Sequence, residues 1–182
     1  LLFLTQSGRI LEYSEGRFNF ANTEDATWQA GVDLAAYGRN LYLLSPEKNQ
    51  IYKYSRLRSN FSAASEYSSE VSLEGAISLA IDGNIYVLKK GGEIVKLFKS
   101  KPEAFEINDL AVDISNVSQI FTLLELNHLY LLDPVNERVV MVEKDYNGVA
   151  KYVGQVVFED LPPVHDFYVD KNELSSLPNW LV

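Results

Sequence analysis

Three closely similar apolar segments recur at one fixed interval along the chain. They read NLYLL, NIYVL and HLYLL and begin at Asn40, Asn84 and His128. Their second residues are numbers 41, 85 and 129, so that 85 − 41 and 129 − 85 both equal 44. A fourth copy, the apolar run at residues 1–4, precedes the first by 40 residues. Such a repeat constrains the fold strongly, because each copy marks one unit of a repetitive architecture.

Each copy forms the first strand of a predicted β-hairpin. A turn rich in proline, glycine and asparagine follows it, and then a second apolar run begins at Ile10, Ile51, Ile94 or Val139. β-Branched and aromatic residues on both sides of such turns are typical of hairpins. A shorter strand precedes each hairpin, and a more polar strand follows it around residues 63–71, 104–107 and 152–158.

Four strands in about 40–45 residues is the size of one β-propeller blade. The repeated strand is apolar at consecutive positions, as expected for a strand that neighbouring blades cover on both faces. A sandwich would not repeat at this interval, and no run sustains the 3.6-residue period of a helix. The sequence therefore predicts an all-β chain, a β-propeller built from four-stranded antiparallel blades.

The repeat also divides the chain into blades within one predicted propeller domain, 1–182. The predicted bounds are a partial blade at 1–28, blades at 31–72, 75–108 and 117–158, and the start of a further blade from 164. Propellers close with typically 4–8 blades. With about four blades present and both ends inside a blade, the pattern favours a fragment of a larger ring over an intact small propeller.

Composition excludes several classes of function. Lys and Arg total 16 against 25 Asp and Glu, a net charge of −9 that disfavours binding to nucleic acid. No cysteine and only two histidines are present, which excludes cysteine-ligated zinc and histidine clusters. The longest apolar runs have strand length, so no membrane span is predicted within this chain. No catalytic residue, metal site or cofactor is predicted.

The predicted binding residues come from aligning the innermost strands. The alignment places Asp33, Ser78, Gln119 and Asp166 at equivalent positions, where they would form part of a polar ring facing the central channel. Two carboxylates there could bind a cation or a polar ligand, or take part in acid–base chemistry. The alternative is that a water-filled channel simply tolerates polar side chains.

Two other patterns have structural interpretations. The tyrosines at 42, 86 and 130 share one register and are expected to pack between blades. Five lysines make the third hairpin basic, but Glu93 and Glu103 interrupt them, which indicates a solvated face. These lysines are Lys89, Lys90, Lys96, Lys99 and Lys101.

Three stretches resemble known propellers. The segment AIDGNIYV, beginning at Ala80, resembles the core of NHL-type and gluconolactonase-like propellers. VDLAAYGRNLYLL from Val32 and LYLLDP from Leu129 are more closely similar to the C-terminal NHL-like propellers of uncharacterised bacterial PPM-type phosphatase-like membrane proteins. This resemblance covers nearly the whole chain and weakens after Asn172. It implies a sensing or docking module outside the cytoplasm, with any phosphatase chemistry elsewhere in a longer, membrane-anchored protein.

Two functions follow as alternatives. The first is a non-catalytic module that senses a ligand or binds a protein partner within a larger multidomain protein; neither the ligand nor the partner is identified. The second is a metal-dependent hydrolase resembling the gluconolactonase-like propellers, for which only Asp33 and Asp166 offer carboxylates at matching positions. The sequence favours the first.

Overall fold

The structure is a computed structural model that describes residues 2–5, 9–20, 30–58, 60–67, 70–144, 149–158 and 164–170. The chain divides into two compact units, residues 1–76 and 77–182. The described elements are β-sheets whose strands pair antiparallel with one exception, and a single-turn 3₁₀ helix at Pro46–Lys48 lies between the strands Asn40–Ser45 and Gln50–Ser55.

The first unit contains two sheets. A three-stranded sheet has the order β1-β2-β3, and a four-stranded sheet has the order β4-β5-β6-β7. The strands are β1 Leu2–Leu4, β2 Ile10–Ser14, β3 Arg17–Phe20, β4 Asp33–Tyr37, β5 Asn40–Ser45, β6 Gln50–Ser55 and β7 Ser65–Glu66.

The second unit contains a four-stranded sheet, β8-β9-β10-β11, and a five-stranded sheet, β13-β14-β15-β16-β12. The strands are β8 Ala76–Ile81, β9 Ile85–Lys89, β10 Ile94–Phe98, β11 Lys101–Glu103, β12 Glu106–Asn108, β13 Gln119–Phe121, β14 His128–Asp133, β15 Arg138–Glu143 and β16 Val149–Val157. Ala76, the first residue of β8, is also the last residue of the first unit.

The hairpin prediction is confirmed in each copy of the repeat. The repeated segments are β1, β5, β9 and β14, and each pairs antiparallel with the strand that follows it. Neighbouring residues of β14 face two different apolar clusters: Leu129 and Leu131 pack in one, Tyr130 and Leu132 in the other. Burial of both faces explains why the strand is apolar at consecutive positions.

Two strand predictions were wrong. The outer strand expected at 104–107 lies at Lys101–Glu103, and Glu106–Asn108 instead pairs in parallel with β16 of the next sheet. The last sheet therefore has five strands rather than four. The inner strand expected from Asp166 is absent from residues 164–170, which are described but adopt no strand. The backbone N–H of Phe167 bonds to the Asp166 carboxylate, a local hydrogen bond that competes with strand pairing. The chain beyond residue 170 lies outside the described residues.

Ion pairs join the sheets within each unit. In the first unit, the Arg56 guanidinium forms a bidentate pair with the Glu12 carboxylate, at 2.8 Å from Nη1 to Oε1 and 2.9 Å from Nη2 to Oε2. In the second unit, Lys144 pairs with Asp82 at 2.8 Å. Both cations directly follow the third strand of their sheet and reach the sheet before it. This second pair lies at the floor of a cavity.

Candidate functional site

A cavity of about 420 Å³ with polar and apolar walls lies within the second unit. The turn between β8 and β9 provides Asp82 and Asn84, and β10 provides Lys96 and Phe98. The loop between β13 and β14, the ends of β11 and β15, and β9 complete the walls. These further lining residues are Tyr86, Glu103, Leu124, Leu126, Asn127, Glu143 and Lys144. We refer to this cavity as the Asp82–Lys144 pocket.

The Lys144 ammonium is fully hydrogen-bonded. Its Nζ donates to Asp82 Oδ2 at 2.8 Å, to Thr122 Oγ1 at 3.0 Å and to the Leu123 carbonyl at 3.2 Å. An ammonium group has three protons, so these contacts use all of them. The Lys144 side chain is 13% exposed and that of Asp82 only 9%, so the pair is shielded from water.

The Asp82 carboxylate is equally committed. Oδ1 accepts the backbone N–H of Asn84 at 3.0 Å and its side-chain amide at 3.2 Å, an arrangement that closes the turn around Gly83. Oδ2 accepts Lys144 and, at 3.4 Å, the Tyr86 hydroxyl. The carboxylate thus accepts four hydrogen bonds, which is its usual capacity.

Tyr86 remains a protonated phenol. Burial is the largest cause that raises its pKa, and the negative charge of Asp82 raises it further, partly opposed by the hydrogen bond from Asn84. Phenolate next to a buried carboxylate would be strongly disfavoured. The hydroxyl therefore serves as a hydrogen-bond donor to Asp82 and not as a base.

Lys96 corrects one expectation from the sequence. The basic hairpin was expected to be a solvated face, but the Lys96 side chain is only 5% exposed and pairs with Glu103 Oε2 at 3.0 Å. Lys96 and Glu103 are directly opposite on β10 and β11. Cross-strand neighbours of opposite charge stabilise such a pair, so this lysine lines the pocket.

The rim of the pocket is partly apolar. Phe98 is 41% exposed and Leu124 is 64% exposed, whereas Leu126 below them is buried. The Lys99 ammonium lies 5.0 Å from the centre of the Phe98 ring, within cation–π distance. Small-molecule sites combine apolar side chains with a few placed polar groups, and this cavity has both kinds.

His128 lies near the pocket without lining it. It faces Glu143 across β14 and β15, and its ring contacts Tyr130 at 6.0 Å between centroids. Burial lowers the pKa of its imidazole; Glu143 raises it, and Lys144 lowers it. Its charge state therefore depends on two groups that line the pocket.

Two of the residues predicted for the channel, Asp33 and Gln119, occupy equivalent positions in their sheets. Asp33 lies opposite Leu44, and Gln119 lies opposite Leu132, which are corresponding residues of the repeat. Asp33 belongs to the first unit, where its Oδ1 accepts the N–H of Leu34 at 2.8 Å.

The other three predicted channel residues lie in the second unit and are connected by hydrogen bonds. The buried Ser78 hydroxyl accepts the backbone N–H of Ile120 at 3.3 Å. The Gln119 side-chain amide donates to Asp166 Oδ1, which also accepts the N–H of Phe167. Gln119 and Asp166 thus form a linked pair. Ligand binding at this set, and the hydrolase that would use Asp33 and Asp166, stay predictions.

None of the four predicted channel residues lines the Asp82–Lys144 pocket. Alignment selected inner-strand positions, whereas the pocket is lined by turns, strand ends and the middle strands β9 and β10. One signal was present: Asp82-Gly83-Asn84 stands where the other copies have Gly38-Arg39-Asn40 and Leu126-Asn127-His128. A carboxylate at one copy only marks a local departure from the repeat. Nothing in the sequence indicated that Lys144 would reach it.

A pair of tyrosine variants tests how the pocket floor is held together. Tyr86→Phe is expected to destabilise the chain by about 1 kcal/mol, because it removes a hydroxyl bonded to Asp82 and Asn84. Tyr130→Phe is the matched control: its buried hydroxyl has no hydrogen-bond partner among the described residues, and burial raises its pKa to about 12. This second change is expected to leave the urea midpoint unchanged or raise it. Equal losses from both variants would contradict the hydrogen bonding described for Tyr86.

Within the described residues, no group of three or more His, Cys, Asp or Glu side chains is placed to hold a metal ion. In the same part of the chain, no helix has the length and apolarity required to cross a membrane.

Comparison with known proteins gives a fold but no family. No family model matches the chain, and no curated protein matches it. Among solved structures, the propeller of a nidogen–laminin complex is similar, with a TM-score of 0.58 and 15% identity over 85% of this chain. The fold is β-propeller-like.

Two bacterial structures are similar at the same level. An auxiliary nutrient binding protein from Bacteroides ovatus has a TM-score of 0.54 and 15% identity over 80% of this chain. A putative 6-phosphogluconolactonase from Bacteroides uniformis has a TM-score of 0.52 and 11% identity over 87%. The chain spans 60% of the nidogen–laminin chain, 36% of the B. ovatus protein and 53% of the B. uniformis protein. At these identities the likeness concerns the fold alone.

Proposed function

We propose that the chain is a non-catalytic β-propeller module that binds a small polar ligand in the Asp82–Lys144 pocket. The observation that carries this proposal is the cavity itself, whose floor is the ion pair between Asp82 and Lys144. The two charges of this pair neutralise each other. At about 420 Å³ the cavity falls within the range of roughly 300–1,000 Å³ that small-molecule sites occupy.

The hydrogen bonding of the floor argues against Asp82 as a general base and against Lys144 as a nucleophile. A general base needs a free lone pair within reach of the substrate, and an amine nucleophile needs an unprotonated nitrogen. Asp82 already accepts four hydrogen bonds, and Lys144 donates all three of its protons. Both groups therefore act as a fixed polar surface on which a ligand rests.

The wider context is part of the same proposal. We infer that the four sheets are blades of a larger ring, in keeping with the 44-residue repeat and the propeller-like fold. The resemblance of the sequence to propellers of PPM-type phosphatase-like membrane proteins supports a sensing or docking role outside the cytoplasm. Any phosphatase chemistry would belong to another part of such a protein, and a protein partner is an alternative ligand for the module.

The experiment is a titration of the ¹⁵N-labelled 182-residue chain with a set of small amines, polyols and carboxylates, followed by amide chemical shifts. At least one compound is expected to shift the amides of Asn84, Phe98 and Lys144 together. Phe98→Ala should weaken that binding about fivefold, because it removes an exposed ring at the rim. Phe20→Ala, which removes another exposed ring outside the lining, is the control. Shifts confined to other residues, or chemical conversion of the bound compound, would overturn the proposal.

A further inference from the structure

We infer that the ligand of the Asp82–Lys144 pocket carries a cationic ammonium or guanidinium group on an aliphatic body. This inference rests on the proposed function, since it names the chemical class that the same pocket selects. Three features carry it: the unused hydrogen-bonding capacity of the lining, its charge, and the apolar rim.

The carboxylates of the lining keep unused hydrogen-bond acceptors that a ligand can reach. The donors of Lys144 are committed, and the Asn84 amide donates to Asp82 and Tyr86. By contrast, Glu103 pairs with Lys96 through Oε2, which leaves its other oxygen for a ligand. Glu143, at the end of β15, is exposed and is one of the lining residues. A lining of this kind complements a ligand that donates hydrogen bonds.

Charge distinguishes a cation from a neutral donor such as a polyol. The lining holds three carboxylates, Asp82, Glu103 and Glu143, against two ammonium groups, Lys96 and Lys144, so its net charge is 2 − 3 = −1. The whole chain carries a net charge of −9. The charge of the lining and the overall field favour a cation over an anion, and the Lys99 ammonium beside Phe98 opposes this effect at the rim.

The apolar rim accounts for the body of the ligand. Phe98 and Leu124 are exposed beside the carboxylates, where they can cover methylene groups while the charged end reaches the floor. The Phe98 ring already receives the Lys99 ammonium at 5.0 Å. An incoming cation would therefore meet an attractive ring and a repulsive neighbour, and removing Lys99 should leave only the attraction.

The first test compares two probes of equal length, 1,5-diaminopentane and 1,5-pentanediol, by amide shifts of the 182-residue chain at low salt. The diamine is expected to bind about tenfold more tightly than the diol. Added NaCl should weaken binding of the diamine and leave binding of the diol unchanged, because salt screens only the interactions of the charged probe. If the diol binds as tightly as the diamine at the pocket amides, the cationic inference fails and the proposed binding function stands. If neither probe shifts those amides, and none of the amines, polyols and carboxylates of the first titration does, then the cationic inference and the proposed binding function both fail.

The second test uses variants that alter charge with little change in shape. Glu143→Gln should weaken diamine binding about fivefold, and Lys99→Gln should strengthen it about twofold, through loss of an attractive and of a repulsive charge. Glu74→Gln, an exposed carboxylate outside the lining, is the control and should change nothing. Unchanged binding in Glu143→Gln, or weaker binding in Lys99→Gln, would overturn the assignment. All three positions are exposed, so the variants are expected to fold.

Discussion

Replacing Lys144 by methionine is expected to lower the free energy of unfolding by about 3 kcal/mol. The side chain keeps its length, but the Asp82 carboxylate loses its cation while it remains 9% exposed. Removal of one partner from a buried pair leaves an uncompensated charge, which is more costly than the net value of the pair. Thr122 and the Leu123 carbonyl lose a donor at the same time. Urea unfolding of the 182-residue chain, followed by circular dichroism, measures the loss.

Two further variants show whether the loss of stability comes from the broken ion pair or simply from the removal of a lysine. Lys48→Ala removes a lysine whose contact with Glu47 is mostly exposed, and it should cost less than about 0.5 kcal/mol. Adding Asp82→Asn to Lys144→Met removes the stranded charge, so the double variant should be less destabilised than the sum of the two single changes. Strict additivity would mean that the two side chains do not interact, contrary to their 2.8 Å separation.

The strands could be predicted because they follow from a local pattern repeated at a fixed interval. The repeat marks the first or second residue of a paired strand at Leu41, Ile85 and Leu129. The residues that follow are apolar because both faces of the strand are buried. Predictions failed where pairing depends on a distant partner. Ile107 lies in a polar stretch that fits an outer strand of its own sheet, yet it pairs with Ala150 of the next one. Such a choice depends on the geometry between sheets, which a local pattern does not contain.

The site was less predictable than the fold for a related reason. Alignment of the repeats finds positions that are equivalent, such as Asp33 and Gln119, and the register places these two at corresponding points. The pocket depends instead on residues that differ between copies. Asp82 and Lys144 are 62 residues apart and occupy no common position of the repeat. Their encounter requires two adjacent sheets to bring a turn and a strand end together, and only the three-dimensional structure contains that information.

The hairpin between β9 and β10 provides the other large expected effect. Gly92 has a φ of +86°, a backbone conformation that residues with a side chain rarely adopt. A Cβ at this position would lie 2.5 Å from the Ile114 carbonyl oxygen. The backbone of Ile114 cannot yield as a flexible side chain would, since its carbonyl also accepts the N–H of Val117. Gly92→Ala is therefore expected to destabilise the chain by about 3 kcal/mol, from conformational strain and steric overlap together.

Gly91 provides a matched control within the same turn. Its φ is +87°, nearly equal to that of Gly92, but a Cβ at this position meets no atom within 4 Å. Gly91→Ala should therefore cost only the conformational strain, about 1 kcal/mol. The difference between the two urea midpoints isolates the contact with Ile114.

Because that contact fixes the hairpin that carries Lys96 and Phe98, Gly92→Ala should also weaken binding of 1,5-diaminopentane, whereas Gly91→Ala should not. Equal losses of stability from the two variants would show that the approach of Gly92 to Ile114 contributes nothing to holding this hairpin in place.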